Sequence, residues 1–218
     1  MIEWVAFDLD GVVIPTGPNY KFFTTEFDVA RASFSDFFYG PFQDCLVGRA
    51  DLFDVLPAAL DSWGWKGTME QFMSRWMESS SNPDTEVVEM IKTLVAAGIK
   101  CCVASNQDSR RAGHLRNLPW LQALFIKQFY SYAMGVAKPG CGYYRIIEGD
   151  CAVASAAILF VDDKIENVEG ARACGWHAEV CHGASDLRVI LNRHCPAVFK
   201  GSADDRPLPG SGISGPLP

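Results

Sequence analysis

No window of the chain reaches the roughly 18 uninterrupted apolar residues that a membrane-spanning helix needs. The opening Met-Ile-Glu-Trp lacks the basic head and apolar body of a secretory leader, so a cytoplasmic protein with no membrane contact is expected. Excess basic charge is missing too. The 19 Lys and Arg against 26 Asp and Glu leave a formal net charge of −7, which argues against a nucleic-acid surface, since that needs clustered cations. The 8 cysteines include no CxxC and no Cys/His spacing of a zinc site. Scattered over a long chain, they read as reduced, buried thiols. His114, His177, His182 and His194 show no metal spacing either, and no role is assigned to them.

What is present is ordinary in bulk and uneven in distribution. With 218 residues, 49% of them hydrophobic and 21% charged, the chain can fill one domain with an insertion or two small ones. Residues 3–9 form an apolar run of strand length that ends in Asp8-Leu9-Asp10-Gly11. Prolines and a glycine at 15–18 then break the pattern. From 20 to 80 the rhythm is helical and rich in aromatic residues, and a capping box is expected at Thr68 with Gln71. No strand interrupts this block, and Ser79-Ser80-Ser81-Asn82-Pro83 closes it.

After Pro83 short apolar runs alternate with helical periodicity. Helices are expected over 84–97, 109–117, 139–149, 164–174 and 184–194, and strands over 99–104, 129–132, 157–161 and 178–180. That alternation predicts an α/β fold, a Rossmann-like parallel sheet with helices on both faces and an inserted helical block. The expected organisation is a core of residues 1–16 plus 82–200, an insertion at 17–81, and a tail at 201–218. The tail is rich in Gly, Ser and Pro and too poor in apolar surface to order itself.

In a parallel sheet the carboxyl ends of the strands share one edge, where ligands bind. The expected strand ends carry Asp8 and Asp10, then Ser105-Asn106, then Lys138-Pro139 in the loop after the third strand, then Asp162-Asp163. Asp8 and Asp10, two apart on a strand, are expected to share a face. Four carboxylates against one lysine require a hard divalent cation with oxygen ligands, and Mg2+ fits. An anionic, oxygen-rich substrate such as a phosphate ester would complete the charge balance. Arg110 and Arg111 read as a solvated helix face, with contact to an anionic substrate as the alternative. Asn167, one turn beyond Asp163, is a candidate for orienting the metal site, with a surface amide as the alternative. Asp163 could also cap the helix that starts at Lys164.

These four motifs, in this order and at strand ends, resemble the haloacid dehalogenase superfamily of phosphohydrolases. The helical block resembles that superfamily's small cap, and residues 130–139 and 160–171 are similar to its sugar-phosphatase and epoxide-hydrolase amino-terminal-domain branch. The resemblance implies hydrolysis of a small phosphorylated metabolite through an aspartyl-phosphate. Asp8 would be the nucleophile and Asp10 the general acid and base. Ser105, Asn106 and Lys138 would bind phosphate, and Asp8, Asp10, Asp162 and Asp163 would hold Mg2+, Asp10 through its backbone carbonyl. It implies an ionised Asp8 beside a protonated Asp10. Cap residues would set specificity, with Tyr39, Phe42 and Arg49 as candidates, and the protein would be a monomer or homodimer. A phosphomutase, or a catalytically idle regulatory domain, is the alternative. A dehalogenase is disfavoured, because that chemistry has no leaving alkoxide for Asp10 to protonate.

Overall fold

The structure, a computed structural model, describes residues 1–15 and 31–199. The expected start of the insertion at 17 and the tail at 201–218 lie outside the described residues.

Strand β1 (Trp4–Phe7) is buried along its whole length, as its continuous apolar run requires of a central parallel strand. It pairs in parallel with β2 (Lys100–Ser105) on one side and β4 (Ile158–Asp162) on the other. Strand β3 (Lys127–Tyr130) adds outside β2, and β5 (His177–Val180) outside β4. The order β3-β2-β1-β4-β5 puts Val5 opposite both Cys101 and Leu159. The chain grows outward from β1 in one direction and then in the other, so β1 lies at the switch point where a ligand crevice opens.

Strand alternation divides the core in two. Val5, Phe7, Val103, Leu159 and Val161 pack against Val87, Ile91 and Leu94 of helix α5 (Thr85–Ala96) and Leu187 and Leu191 of α11 (Ala184–His194). On the opposite face Trp4, Ala6, Ala104 and Phe160 pack against Tyr143, Tyr144 and Ile147 of α9 (Cys141–Cys151) and Val168 and Ala171 of α10 (Ile165–Ala173). Helix α6 (Ser109–Arg116) follows β2, and α7 (Pro119–Leu124) precedes β3. Helix α8 (Ser131–Met134) comes directly after β3 and α12 (Pro196–Phe199) ends the described chain. The sequence pattern missed α7 and α8, whose six and four residues are too short to show a period.

Between β1 and α5 lie α1 (Arg31–Tyr39), α2 (Phe42–Leu46), α3 (Leu52–Ser62) and α4 (Met69–Ser79). They enclose a third apolar cluster of their own, built on Phe37, Leu52, Leu56, Trp63, Phe72 and Trp76. Local chemistry sets the helix starts. The capping box at Thr68 and Gln71 is present in both directions, at 3.2 and 2.9 Å. Asp51 caps α3 through the Phe53 amide at 2.9 Å.

One expectation about cysteine is corrected: Cys141 and Cys174 are joined as a disulfide linking the start of α9 to the end of α10, with Cα atoms 6.2 Å apart. Cys45, Cys101, Cys102, Cys151, Cys181 and Cys195 are free, and all but Cys151 are buried. Among the described residues no helix is long and apolar enough to cross a membrane.

Candidate active site

The carboxyl ends of β1, β2 and β4 and the loop after α8 converge on a cavity of about 160 Å³. It is lined by Asp8, Asp10, Ser105, Asn106, Lys138, Asp163, Lys164 and Asn167. Six of the seven expected site residues line it, and the seventh, Asp162, lies directly beneath.

Backbone geometry delivers the first two carboxylates, though not on one strand face. The strand ends at Phe7, and the chain turns so that the Leu9 carbonyl accepts from the amides of Val12, Val13 and Ile14. Gly11 sits at φ +85°, a left-handed conformation that suits glycine. A Cβ there would stand 2.5 Å from Asp163 Oδ2. The two carboxylates thus lie on a turn and not along a strand; the turn gives them different partners while both line the one cavity.

Asp8 faces Lys138, whose Nζ lies 3.1 Å from Asp8 Oδ1 and 2.6 Å from Asp162 Oδ2 and donates to the Ala104 carbonyl at 2.8 Å. Burial pulls the Lys138 ammonium down, but the Asp8 and Asp162 carboxylates outweigh it and hold its pKa above the ordinary lysine value. Asp162 is fully buried. Besides Lys138, it accepts from the Lys164 amide at 2.9 Å and from Asn167 Nδ2 at 2.9 and 3.0 Å. Burial tends to raise its pKa, and Lys138 with these donors brings it below the usual carboxylate range. Asn167 is therefore a buried brace for Asp162 and no surface amide.

Asp163 does not cap α10. The N-cap is Lys164, and among the described residues Asp163 Oδ1 is buried without a hydrogen-bond partner. Asp8, Asp162 and Asp163 can each present an oxygen within 4.8 Å of the others. Three carboxylates, one of them with an unpartnered buried oxygen, form the hard-donor set that suits Mg2+.

Asn106 does not turn its amide to the cavity. Its Nδ2 donates to the Lys138 carbonyl and its Oδ1 accepts from the Lys138 amide, both at 3.0 Å, clasping the loop that carries the lysine. A Cβ at Gly170 of α10 would stand 2.5 Å from the Pro139 carbonyl, so a glycine there lets that loop pack down.

Asp10 differs most from expectation. Its carboxylate is gripped by Arg111 of α6, which is 4% exposed and lies on no solvated face. Burial would raise the Asp10 pKa, but the Arg111 charge and hydrogen bonds, with Gln107, hold it below the usual carboxylate range. Asp8, by contrast, is pushed up to about 7 by burial, with Lys138 opposing and Asp162 and Asp10 adding to the rise. Without a metal, the protein's own groups thus favour a proton on Asp8 over one on Asp10, whereas the expected ionised Asp8 is one held so by the metal on Asp162 and Asp163. Gln107 is not singled out in the sequence and Arg111 reads there as part of a solvated face, because their partner lies about 100 positions away; the one local signal is their separation by four.

Arg110 points the other way, to the helical block, where it pairs with Asp51 at 2.9 and 2.8 Å and stacks 4.1 Å above Phe53. The cap candidates do not line the cavity. Tyr39 is exposed, Phe42 packs on Phe37, Phe38 and Trp76, and Arg49 pairs with Asp44.

Residues 2–175 match the haloacid dehalogenase-like hydrolase family. The chain belongs to that family. A haloacid dehalogenase-like enzyme from Bacteroides thetaiotaomicron, in complex with magnesium and inorganic phosphate, superposes with a TM-score of 0.68 at 18% identity, over 83% of this chain and 94% of that one. The L-2-haloacid dehalogenase of Xanthobacter autotrophicus superposes with a TM-score of 0.64 at 20% identity, over 82% and 76%. These likenesses establish the fold. In sequence, 93 residues are 29% identical to the sesquiterpene phosphatase astK of Aspergillus oryzae, covering 43% of this chain and 47% of that protein. A further 31% identity over 68 residues, 31% of this chain, relates it to 13% of the drimenol cyclase drtB of Aspergillus calidoustus. The match spans less than half of either relative.

Proposed function

We propose that this haloacid dehalogenase-like hydrolase cleaves a phosphomonoester through a phosphoryl-Asp8 intermediate. The observation that carries the reading is the buried Asp8 carboxylate 3.1 Å from the Lys138 ammonium, on a small polar cavity it shares with Asp10 and Asp163. A carboxylate attacks phosphorus only where the negative oxygens it approaches are neutralised. Lys138 supplies one fixed positive charge for them, and the Ser105 hydroxyl at the end of β2 a hydrogen bond. Asp10, held ionised by Arg111 and Gln107 in the free protein, takes a proton from an incoming phosphomonoester monoanion and gives it to the leaving alkoxide as the Asp8–phosphorus bond forms. The ionised Asp10 then takes a proton from the water that releases inorganic phosphate. Asp163 and Asp8, with Asp162 and the Asp10 carbonyl, would hold Mg2+. That ion would neutralise phosphoryl oxygens and favour the ionised form of Asp8. Asn106 and Asn167 act from behind, one on the Lys138 loop and one on Asp162.

The small cavity, lined by charged, hydroxyl and amide side chains, suits a phosphoryl group and leaves the organic part of the substrate outside it. A sugar phosphate is one candidate. The relation to a sesquiterpene phosphatase supports testing terpenyl phosphates beside it. The test is magnesium-dependent phosphate release from sugar, alkyl, terpenyl and p-nitrophenyl phosphates by the wild type and by Asp8→Asn. The variant is expected to lose at least about 10³-fold in turnover. Retention of magnesium-dependent hydrolysis by Asp8→Asn would overturn the mechanism.

A further inference from the structure

On the same reading of Asp10 as acid and base, we infer that Arg111 and Gln107 are the positioning residues that aim its carboxylate. Arg111 Nη1 donates to Asp10 Oδ2 at 2.5 Å and Nη2 to Oδ1 at 2.7 Å, a two-pronged contact that fixes both the place and the plane of the carboxylate. Gln107 Nε2 donates to the same Oδ2 at 2.9 Å and to Ser105 Oγ at 3.0 Å. Its Oε1 accepts from Arg111 Nη1 at 2.8 Å, so the two long side chains brace one another. Gln107 is itself held, its amide donating to Ser131 Oγ at 3.0 Å.

The frame has a rigid base. Arg111 lies in the first turn of α6, whose start is capped by the buried Asp108 through the Arg110 and Arg111 amides at 2.8 and 3.1 Å. The guanidinium also donates to the Ser80 carbonyl at 3.2 Å, in the segment joining α4 to α5. Asp10 is thus tied at once to the phosphate-side hydroxyl of Ser105 and to the junction of the helical block with the core. A carboxylate on the turn after β1 has its own side-chain torsions free. With two nitrogens of one planar group on its two oxygens, it keeps a single orientation toward the leaving group and the attacking water.

A positioning role and a merely structural one differ in which chemical step they affect. Phosphorylation of Asp8 by p-nitrophenyl phosphate expels a leaving group that needs no proton, whereas the later attack of water needs Asp10 as base. Arg111→Met and Gln107→Met should therefore keep the initial burst of p-nitrophenolate within a few-fold of wild type. Steady-state turnover should fall about 10²-fold in Arg111→Met and less in Gln107→Met. Phosphorylated enzyme should accumulate, visible in the acid-quenched intact mass. With an alkyl phosphate the burst itself should fall, because that alkoxide needs the proton. Arg111→Lys, which cannot span both oxygens, should recover only part of the loss.

Equal loss of burst and steady state, or no loss in either variant, would overturn the inference. Gln107→Met exchanges one neutral side chain for another and keeps the test decisive if Arg111→Met does not fold. Wild-type enzyme that hydrolyses neither probe would instead refute the phosphatase reading, so the two failures are distinct.

Discussion

At the scale of single residues, the unequal treatment of Asp8 and Asp10 is the main feature. Both sit on one turn, yet Asp10 takes a two-pronged contact from a guanidinium whose other partners are neutral, while Asp8 shares one ammonium with the Asp162 carboxylate. Burial therefore prevails at Asp8 and carries its pKa from 3.8 to about 7. The folded state binds that proton more tightly than the unfolded chain. The contribution of Asp8 to stability is therefore full below about pH 4 and is lost as the pH rises through about 7. In metal-free protein, Asp8→Asn should raise urea stability by more at about pH 8.5 than at about pH 5, the two gains differing by about 2–3 kcal/mol. The same difference at both pH values would show that the Asp8 proton plays no part.

At the scale of elements, the adjacent arginines at the start of α6 face two different structures. Arg111 reaches the catalytic turn, and Arg110 reaches the amino terminus of α3 in the helical block. Consecutive residues on a helix lie about 100° apart, so one short segment can serve both. The Arg110–Asp51 pair is partly exposed, so its Coulombic part is modest, with about 1 kcal/mol as an upper bound. Stacking on Phe53 makes the loss of the arginine more costly than the loss of the charge pair. A double-mutant cycle on Arg110→Ala and Asp51→Asn should give a coupling between about 0.3 and 1 kcal/mol by urea unfolding, with asparagine preserving the cap of α3. Zero coupling would mean that the pair contributes nothing to docking the helical block on the core.

At the scale of the whole molecule, a parallel sheet brings groups from residues 8 to 163 to one edge, and the cluster carries more negative charge than its lysine neutralises. Magnesium ligated by Asp8 and Asp163 should stabilise the fold by about 2.7 kcal/mol at 100 times its dissociation constant, or several degrees in Tm for a chain of this size. Asp163→Ala should abolish that shift. A Tm indifferent to magnesium in the wild type would sink the metal assignment.

Most of the sheet was legible in the chain because its strands are short apolar runs, each joined to the next by amphipathic helices, and a parallel order then follows from connection length. The site's carboxylates and lysine were legible for a related reason. A parallel sheet aligns all strand ends, so residue type at those ends already names the chemistry. What the sequence by itself determined is therefore the composition of the site. The pairing within it came from the tertiary fold: Arg111 with Asp10, Asn106 with the Lys138 backbone and Asn167 with Asp162, as did, away from the site, Cys141 with Cys174. The physical reason is that a side chain's periodicity reports whether it faces the core or the solvent. It carries no record of which distant charge lies within 3 Å, and for Arg111 that charge was 101 residues away.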